Sequence, residues 1–177
     1  MGPVTHNVTA GALAFSGAVF LCANPALAEG IVLSEWMPRS IPFAVGALLG
    51  ARAPDWIELA QFSSFLDRRV SIIPHRTITH WPWLWLAALL IATGLTQVYD
   101  DYPGREVAWG CVGFILSGML HLLLDSLTPT GIPLGFNPFG KRTAFAYMRN
   151  GSYSEFLVSL SAWAVALASA DVFKRWT

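Results

Sequence analysis

Long apolar stretches without charged side chains dominate this sequence of 177 residues. Four of them are long, and they cover residues 8–28, 82–98, 107–124 and 156–170. A helix of about 20 mostly apolar residues crosses the hydrocarbon core of a bilayer. The pattern therefore predicts an all-α integral membrane protein, a polytopic bundle with four long spans.

A fifth apolar segment, residues 40–51, is too short for an ordinary span and is bracketed by Arg39 and Arg52. It is either a re-entrant helix or a short crossing helped by snorkelling arginines. A crossing leaves seven Lys and Arg residues on one side and four on the other, whereas no crossing leaves eight and three. Only the crossing brings all four histidines to one face, so we favour five passes. The positive-inside rule then makes the histidine face and the N-terminus cytoplasmic.

Composition excludes several other classes of protein. Only 12% of the residues are charged and the net charge is zero, whereas soluble domains carry about 25% charged residues. A nucleic-acid partner is not expected, because the sequence has no basic excess. The cysteines, Cys22 and Cys111, form no CxxC pair, which argues against a zinc knuckle. We expect one membrane-embedded domain over residues 1–177, with the lipid bilayer as its first partner.

Ionisable residues are rare in this chain, and several stand at the ends of the apolar stretches. His121 and Asp125 are spaced i, i+4 and therefore share one helix face at the end of the third long stretch. His75 and His80 precede the second long stretch, and His80 is followed by Trp81, Trp83 and Trp85, a cluster typical of the membrane interface.

The other candidates follow the short segment or precede the first span. Asp55 comes after Pro54, with Glu58 one helical turn further on, and His6 stands at the start of the first stretch. Each group also has a structural interpretation, such as a helix cap or a buried hydrogen bond between helices.

Taken together, these residues predict a metal site at one membrane face. Imidazole nitrogens and carboxylate oxygens suit Zn²⁺, and other divalent transition metals accept the same ligands. The expected ligands are His6, Asp55, His75, His80, His121 and Asp125. Bound zinc lowers the pKa of a water ligand to about 7. Glu58 or Asp55 would then take the proton, and Arg76 would hold an anionic phosphate or carboxylate.

The same motifs carry a family resemblance over residues 5–140. They are Thr5-His6, GALLGARAPD at 46–55, HRTITH at 75–80 and HLLLDSLTPTG at 121–131. In this order they resemble the YdjM-like family of bacterial membrane proteins, whose members are described as metal-dependent hydrolases. The resemblance implies the same six ligands. Family members commonly continue Pro-Asp with Ile-Asp or Leu-Asp, whereas here the second acidic residue, Glu58, is displaced by one position.

Two functions follow as expectations. The first is a metal-dependent hydrolase at the cytoplasmic face of the bacterial inner membrane, acting on a lipid or a lipid-linked phosphate. The second is a non-catalytic membrane protein whose His and Asp cluster is structural or binds a partner. A transporter is less favoured, because the centres of the predicted spans carry no acid or histidine.

Overall fold

Helices make up most of the chain in the structure, a computed structural model that describes residues 2–23, 37–58, 60–63, 68–99 and 103–174. The helices are α1 (Pro3–Ala23), α2 (Met37–Gly50), α3 (Ala53–Trp56), α4 (Pro82–Val98), α5 (Gly104–Ser126) and α6 (Tyr153–Lys174). Two short antiparallel hairpins pair β1 (Ala60–Ser63) with β2 (Arg68–Ser71), and β3 (Ile132–Pro133) with β4 (Arg142–Thr143). A single 3-10 turn, Ile78–His80, precedes α4.

The helical membrane fold expected from the sequence is confirmed. Among the described residues, three helices are long and apolar enough to cross a membrane, over Pro3–Cys22, Gly104–Ser126 and Tyr153–Ala170. Two apolar helices are shorter, Arg39–Gly50 and Pro82–Val98. The second of these has the bounds predicted for the second long stretch, but at 17 residues it is shorter than the three candidate spans. Proline suits the first helical position, which explains the start at Pro82.

The predicted boundaries differ most at the first stretch. Helix α1 begins at Pro3, five residues earlier than the predicted start, because proline is well suited to the first helical position. Residues 24–28, the predicted end of this span, lie outside the described residues.

Glycines let the short helix α2 pack directly against α5. A Cβ atom at Gly46 would lie 2.0 Å from the backbone oxygen of Gly110, and one at Gly113 would lie 2.1 Å from the backbone oxygen of Phe43. Gly50, one turn beyond Gly46, is equally close to α5. Small residues at this spacing allow helix backbones to approach closely, which strengthens packing where no hydrophobic effect drives association. This contact fixes where the end of α2 lies.

Helix α4 docks on α5 through Trp85. Its ring lies over Gly118, where a Cβ would be 2.0 Å from the ring, and its indole N–H donates to the carbonyl of Thr79 at 2.7 Å. Trp85 is therefore a core residue and not the interfacial anchor that its sequence context indicates. Trp81 and Trp83 instead donate to the carbonyls of Gly135 and Leu134, which join the start of α4 to the loop after α5.

The close packing of α2 on α5 generates a prediction about stability. We expect Gly46→Ala to lower the free energy of unfolding by about 1–3 kcal/mol, because the new methyl group has to push two backbones apart. Gly94→Ala is the matched control, since a Cβ at this exposed position of α4 meets no atom within 4 Å. Thermal unfolding of both variants in one detergent checks this. Equal midpoints would contradict it.

Candidate metal centre

Two carboxylates and two imidazoles meet at one end of the bundle. Oδ1 of Asp55, in α3, lies 3.4 Å from Nε2 of His80 and 3.6 Å from Nε2 of His121. Oδ2 of Asp125, in the last turn of α5, lies 3.5 Å from Nε2 of His80 and 3.6 Å from Nε2 of His121. Each imidazole nitrogen therefore faces both carboxylates.

A third imidazole reaches this cluster from α1. Nε2 of His6 lies 3.6 Å from Oδ1 of Asp125, and the His6 ring stacks on His121 with the ring centroids 3.8 Å apart. His6 is buried, and its Nδ1 has no hydrogen-bond partner among the described residues. The first helix of the chain thus contributes a side chain to the same site as the fifth.

Hydrogen bonds on the far side of each ring orient the imidazoles. Nδ1 of His121 lies 2.9 Å from the carbonyl oxygen of Ala51. Because a carbonyl only accepts, this nitrogen donates, and Nε2 of a neutral ring is left with its lone pair. Nδ1 of His80 lies 3.1 Å from the Thr79 hydroxyl and 3.2 Å from Oε1 of Glu58. Within the described part of the chain, Nε2 of His80 and Nε2 of His121 are buried with no hydrogen-bond partner.

The electrostatics of the cluster favour a positive charge at its centre. Burial would lower the pKa of His80, but the carboxylates of Asp125, Asp55 and Glu58 raise it to about 10. Burial would raise the pKa of Asp55, but the imidazoles of His121 and His80 hold it below its usual range. Lone pairs on Nε2 and on carboxylate oxygens repel each other unless a proton or a metal ion lies between them.

The spacing of these atoms fits metal coordination. Tetrahedral zinc with bonds of 2.0–2.2 Å places its ligand atoms about 3.3–3.6 Å apart. The four N···O distances of 3.4–3.6 Å agree with that value. Two groups of three residues could each hold an ion, because the ligand atoms within a group all lie within 4.8 Å of one another. The first group is His6, His121 and Asp125, and the second is Asp55, His75 and His80. The cluster can therefore hold a metal ion.

Arg76 anchors Asp125 from behind. Its Nη2 lies 2.8 Å from Oδ2 of Asp125, and Nη1 donates to the hydroxyls of Thr128 and Thr130 and to the carbonyl of Gly131. The backbone of Arg76 has a φ of +58°, a left-handed conformation that costs about 1–3 kcal/mol in a residue with a side chain. These buried contacts offset that cost. The guanidinium predicted to hold a substrate anion is thus already bound to protein acceptors, although it also borders the cavity described below.

Glu58 holds the turn that carries His75 and His80. Its buried carboxylate accepts hydrogen bonds from the Arg76 backbone N–H at 3.1 Å and the Thr79 hydroxyl at 3.0 Å, and it lies 2.8 Å from Nδ1 of His75. Burial would raise the pKa of Glu58, but His75, His80 and the Arg76 N–H lower it to about 2. Glu58 contacts His80 at Nδ1, on the opposite side of the ring from Asp55 and Asp125. Its predicted role as a base stays a prediction.

A cavity of about 460 Å³ opens onto the cluster. Its lining consists of residues 128–130 and 148–150 together with five side chains of the site: His6, Asp55, His75, Arg76 and Asp125. The His75 side chain is 56% exposed and the Asp55 side chain 34%, whereas those of His6, His80, His121 and Asp125 are buried. The structure therefore brings five of the six expected ligands into close contact and places His75 at the open edge.

Sequence reasoning missed two residues near this site. The buried carboxylate of Glu155 accepts from the Gly2 backbone N–H and the Thr5 hydroxyl, each at 2.6 Å, and so ties the start of α1, and with it His6, to α6. In the sequence, only the position of Glu155 just before an uncharged stretch could have indicated this role. Arg149 is exposed at the cavity lining, and nothing in its local sequence distinguishes it from other loop arginines.

The fold and the site define a helical membrane protein with a His and Asp cluster, able to hold a metal ion, at one end of its bundle. A family model described as "YdjM inner membrane protein" matches residues 1–176, so the chain belongs to this family. This confirms the resemblance inferred from the motifs. The chain is similar to the uncharacterized protein YvsG of Bacillus subtilis (strain 168), with 32% identity over 116 residues, or 65% of this chain and 67% of YvsG. No solved structure matches this chain.

The buried ion pair between Arg76 and Asp125 should contribute to the free energy of unfolding. Arg76→Ala leaves Asp125 buried beside one fewer cation, and removing one partner of a buried ion pair destabilises a fold by about 3–5 kcal/mol. Arg52→Ala, at an exposed arginine close to the same end of the bundle, is the matched control. Thermal unfolding in detergent should show a large loss for the first variant and little change for the second. A loss of similar size in both would overturn this account of Arg76.

Proposed function

We propose that this protein is a membrane-bound, metal-dependent hydrolase with zinc as its resident ion, acting on the phosphate of a lipid or of a lipid-linked compound. One observation carries the proposal. Two buried Nε2 atoms have no hydrogen-bond partner in the described part of the chain and face two carboxylates, beside a cavity of about 460 Å³. A cluster built only to hold helices together has no need of such an opening.

The donor set fits zinc. Nitrogen and carboxylate oxygen are ligands that zinc prefers, and the proposed ligands are His6, Asp55, His75, His80, His121 and Asp125. Glu58 and the Ala51 carbonyl fix the imidazoles of His80 and His121 from outside, an arrangement typical of metal-binding histidines. When bound, zinc supplies a water ligand that ionises near neutral pH.

The residues of the chain have separable roles in this proposal. Asp55 is the more exposed of the two central carboxylates, so we assign proton transfer from water in the cavity to whichever of its two oxygens does not bind the metal. Glu58 is proposed as a positioning residue, because its carboxylate is engaged by the 75–80 turn. Arg76 positions Asp125, and the exposed Arg149 at the cavity lining is available to a phosphate group.

The position of the site suits a substrate with a polar headgroup. His6 lies near the start of α1, Asp125 at the end of α5, and His80 just before α4, so the cluster lies where apolar helices end. The contacts of Asp125 with His6 and His80 support the proposed five passes, because these helix ends would share one face in that topology. We propose that this face is cytoplasmic, because it carries the larger share of positive charge in that topology.

A structural role is the second candidate function. The same residues connect α1, α3, α5 and the turn before α4 through close pairs of imidazole and carboxylate. Buried polar networks of this kind can hold a bundle together without any chemistry. In that case, replacing Asp125 would lower stability with no effect linked to metal.

Metal content separates the two candidates. We expect protein purified without chelators to carry zinc in at least stoichiometric amount, and Asp125→Asn and His121→Ala to lose it. Glu106→Gln is the matched control, because Glu106 is a carboxylate in the first turn of α5, at the other end from Asp125. Elemental analysis of folded protein is the measurement. Absence of metal from the wild-type protein would reject the proposal in favour of the structural role.

Hydrolysis is tested with phosphatidic acid in mixed micelles, by measuring released phosphate. We expect Asp55→Asn to lower the rate about 10²–10⁴-fold, the usual contribution of a general base, and Glu106→Gln to keep the wild-type rate. Sealed vesicles of opposite orientation locate the site, since only vesicles that expose the cytoplasmic face should turn over added substrate. An Asp55→Asn protein with the wild-type rate would contradict the role given to this carboxylate.

A further inference from the structure

The six proposed ligands divide into two groups of three, each of which includes one of the two central carboxylates. We propose that the site holds two metal ions, one bound by His6, His121 and Asp125 and the other by Asp55, His75 and His80. This inference rests on the proposed function, because it concerns the number and arrangement of ions at the same site.

The number of ligands is the first argument. Zinc takes four ligands in structural sites and three protein ligands plus water in catalytic ones. Four imidazoles and two carboxylates exceed what one such ion takes, and they amount to three protein ligands for each of two ions. In each group of three, the ligand atoms lie within 4.8 Å of one another. Each group therefore matches the protein share of one open, catalytic zinc site.

The central carboxylates provide the second argument, because each contacts both groups. Asp125 belongs to the first group, yet its Oδ2 lies 3.5 Å from Nε2 of His80 in the second. Asp55 belongs to the second group, yet its Oδ1 lies 3.6 Å from Nε2 of His121 in the first. Two-metal sites hold their ions about 3.5–4 Å apart, and carboxylates that reach both groups keep the two positions that close.

The two carboxylate oxygens of Asp125 contact different residues. Oδ1 lies 3.6 Å from Nε2 of His6, whereas Oδ2 faces His80, His121 and Arg76. His6 therefore contacts the Asp125 oxygen that does not face His80, which places it with the first group.

The two groups differ in their access to solvent. His6, His121 and Asp125 are each no more than 3% exposed, whereas the His75 side chain is 56% exposed and borders the cavity. Nδ1 of His75 lies 2.8 Å from Glu58, which leaves its Nε2 for an ion. The first ion should thus exchange more slowly than the second.

Charge explains why a second ion suits a phosphate substrate. Asp55, Asp125 and Glu58 bring three negative charges and Arg76 one positive charge, so a single divalent ion balances the site. A second divalent ion leaves an excess of positive charge at the open side. That excess is matched by hydroxide and by an anionic phosphate, which links occupancy of the second position to the class of substrate.

The test is metal stoichiometry in the full-length protein, purified in detergent and equilibrated with Zn²⁺. We expect two ions per chain in the wild type and one in His75→Ala, which removes an exposed ring and leaves the buried group intact. Lys141→Ala, an exposed cation in the loop between β3 and β4, is the control that keeps both ions. Loading with Mn²⁺ gives an independent readout, since electron paramagnetic resonance distinguishes a coupled pair of ions from an isolated one.

The possible outcomes separate this inference from the proposed function. Two ions in the wild type, one in His75→Ala and loss of the coupled Mn²⁺ signal support it. One ion in both proteins overturns the two-ion site and leaves a metal-dependent hydrolase standing. No metal in either protein rejects both proposals. Loss of both ions from a His75→Ala protein that unfolds at the wild-type temperature overturns the division into two independent groups.

Discussion

The position of Asp125 determines how the rest of the site is built. This buried carboxylate, at the end of α5, contacts His6 from α1, His80 from the turn before α4, and Arg76 from the same loop. A buried negative charge is stable only when cations or hydrogen-bond donors surround it. Satisfying that one requirement draws α1 and the 75–80 turn to the end of α5.

Close packing of the helices positions other residues of the same site. Gly46 and Gly50 allow α2 to lie against α5, and α2 ends just before Asp55. The backbone carbonyl of Ala51, between α2 and α3, then lies 2.9 Å from Nδ1 of His121 and sets the direction of that ring. The close contact between α2 and α5 therefore places the Asp55 carboxylate and orients the His121 imidazole. In this protein, the structural and chemical parts of the sequence are interdependent.

Much of this could be predicted from the sequence, because charged residues are so costly in a membrane that their positions are informative. Four histidines and two aspartates at the ends of apolar stretches were enough to indicate one site, and the i, i+4 spacing of His121 and Asp125 was sufficient for that pair. The role of Trp85 was not predictable, because an indole at a stretch boundary suits the interface and the core equally well. In the sequence, Arg76 resembles a substrate-binding cation. Its contacts with Asp125 and Thr128 could not be predicted, because these residues lie about fifty positions further along the chain.

The sequence by itself determined the class of protein, the helices, the family and the residue types of the site, since each depends on local composition or on short motifs. Only the tertiary structure decided which of those residues touch. The placement of His6 on His121, the meeting of two carboxylates with the imidazoles, and the support from Glu58 and Glu155 all depend on contacts between distant segments. Such contacts arise from packing and charge compensation in three dimensions, and these leave no periodic signal along the chain.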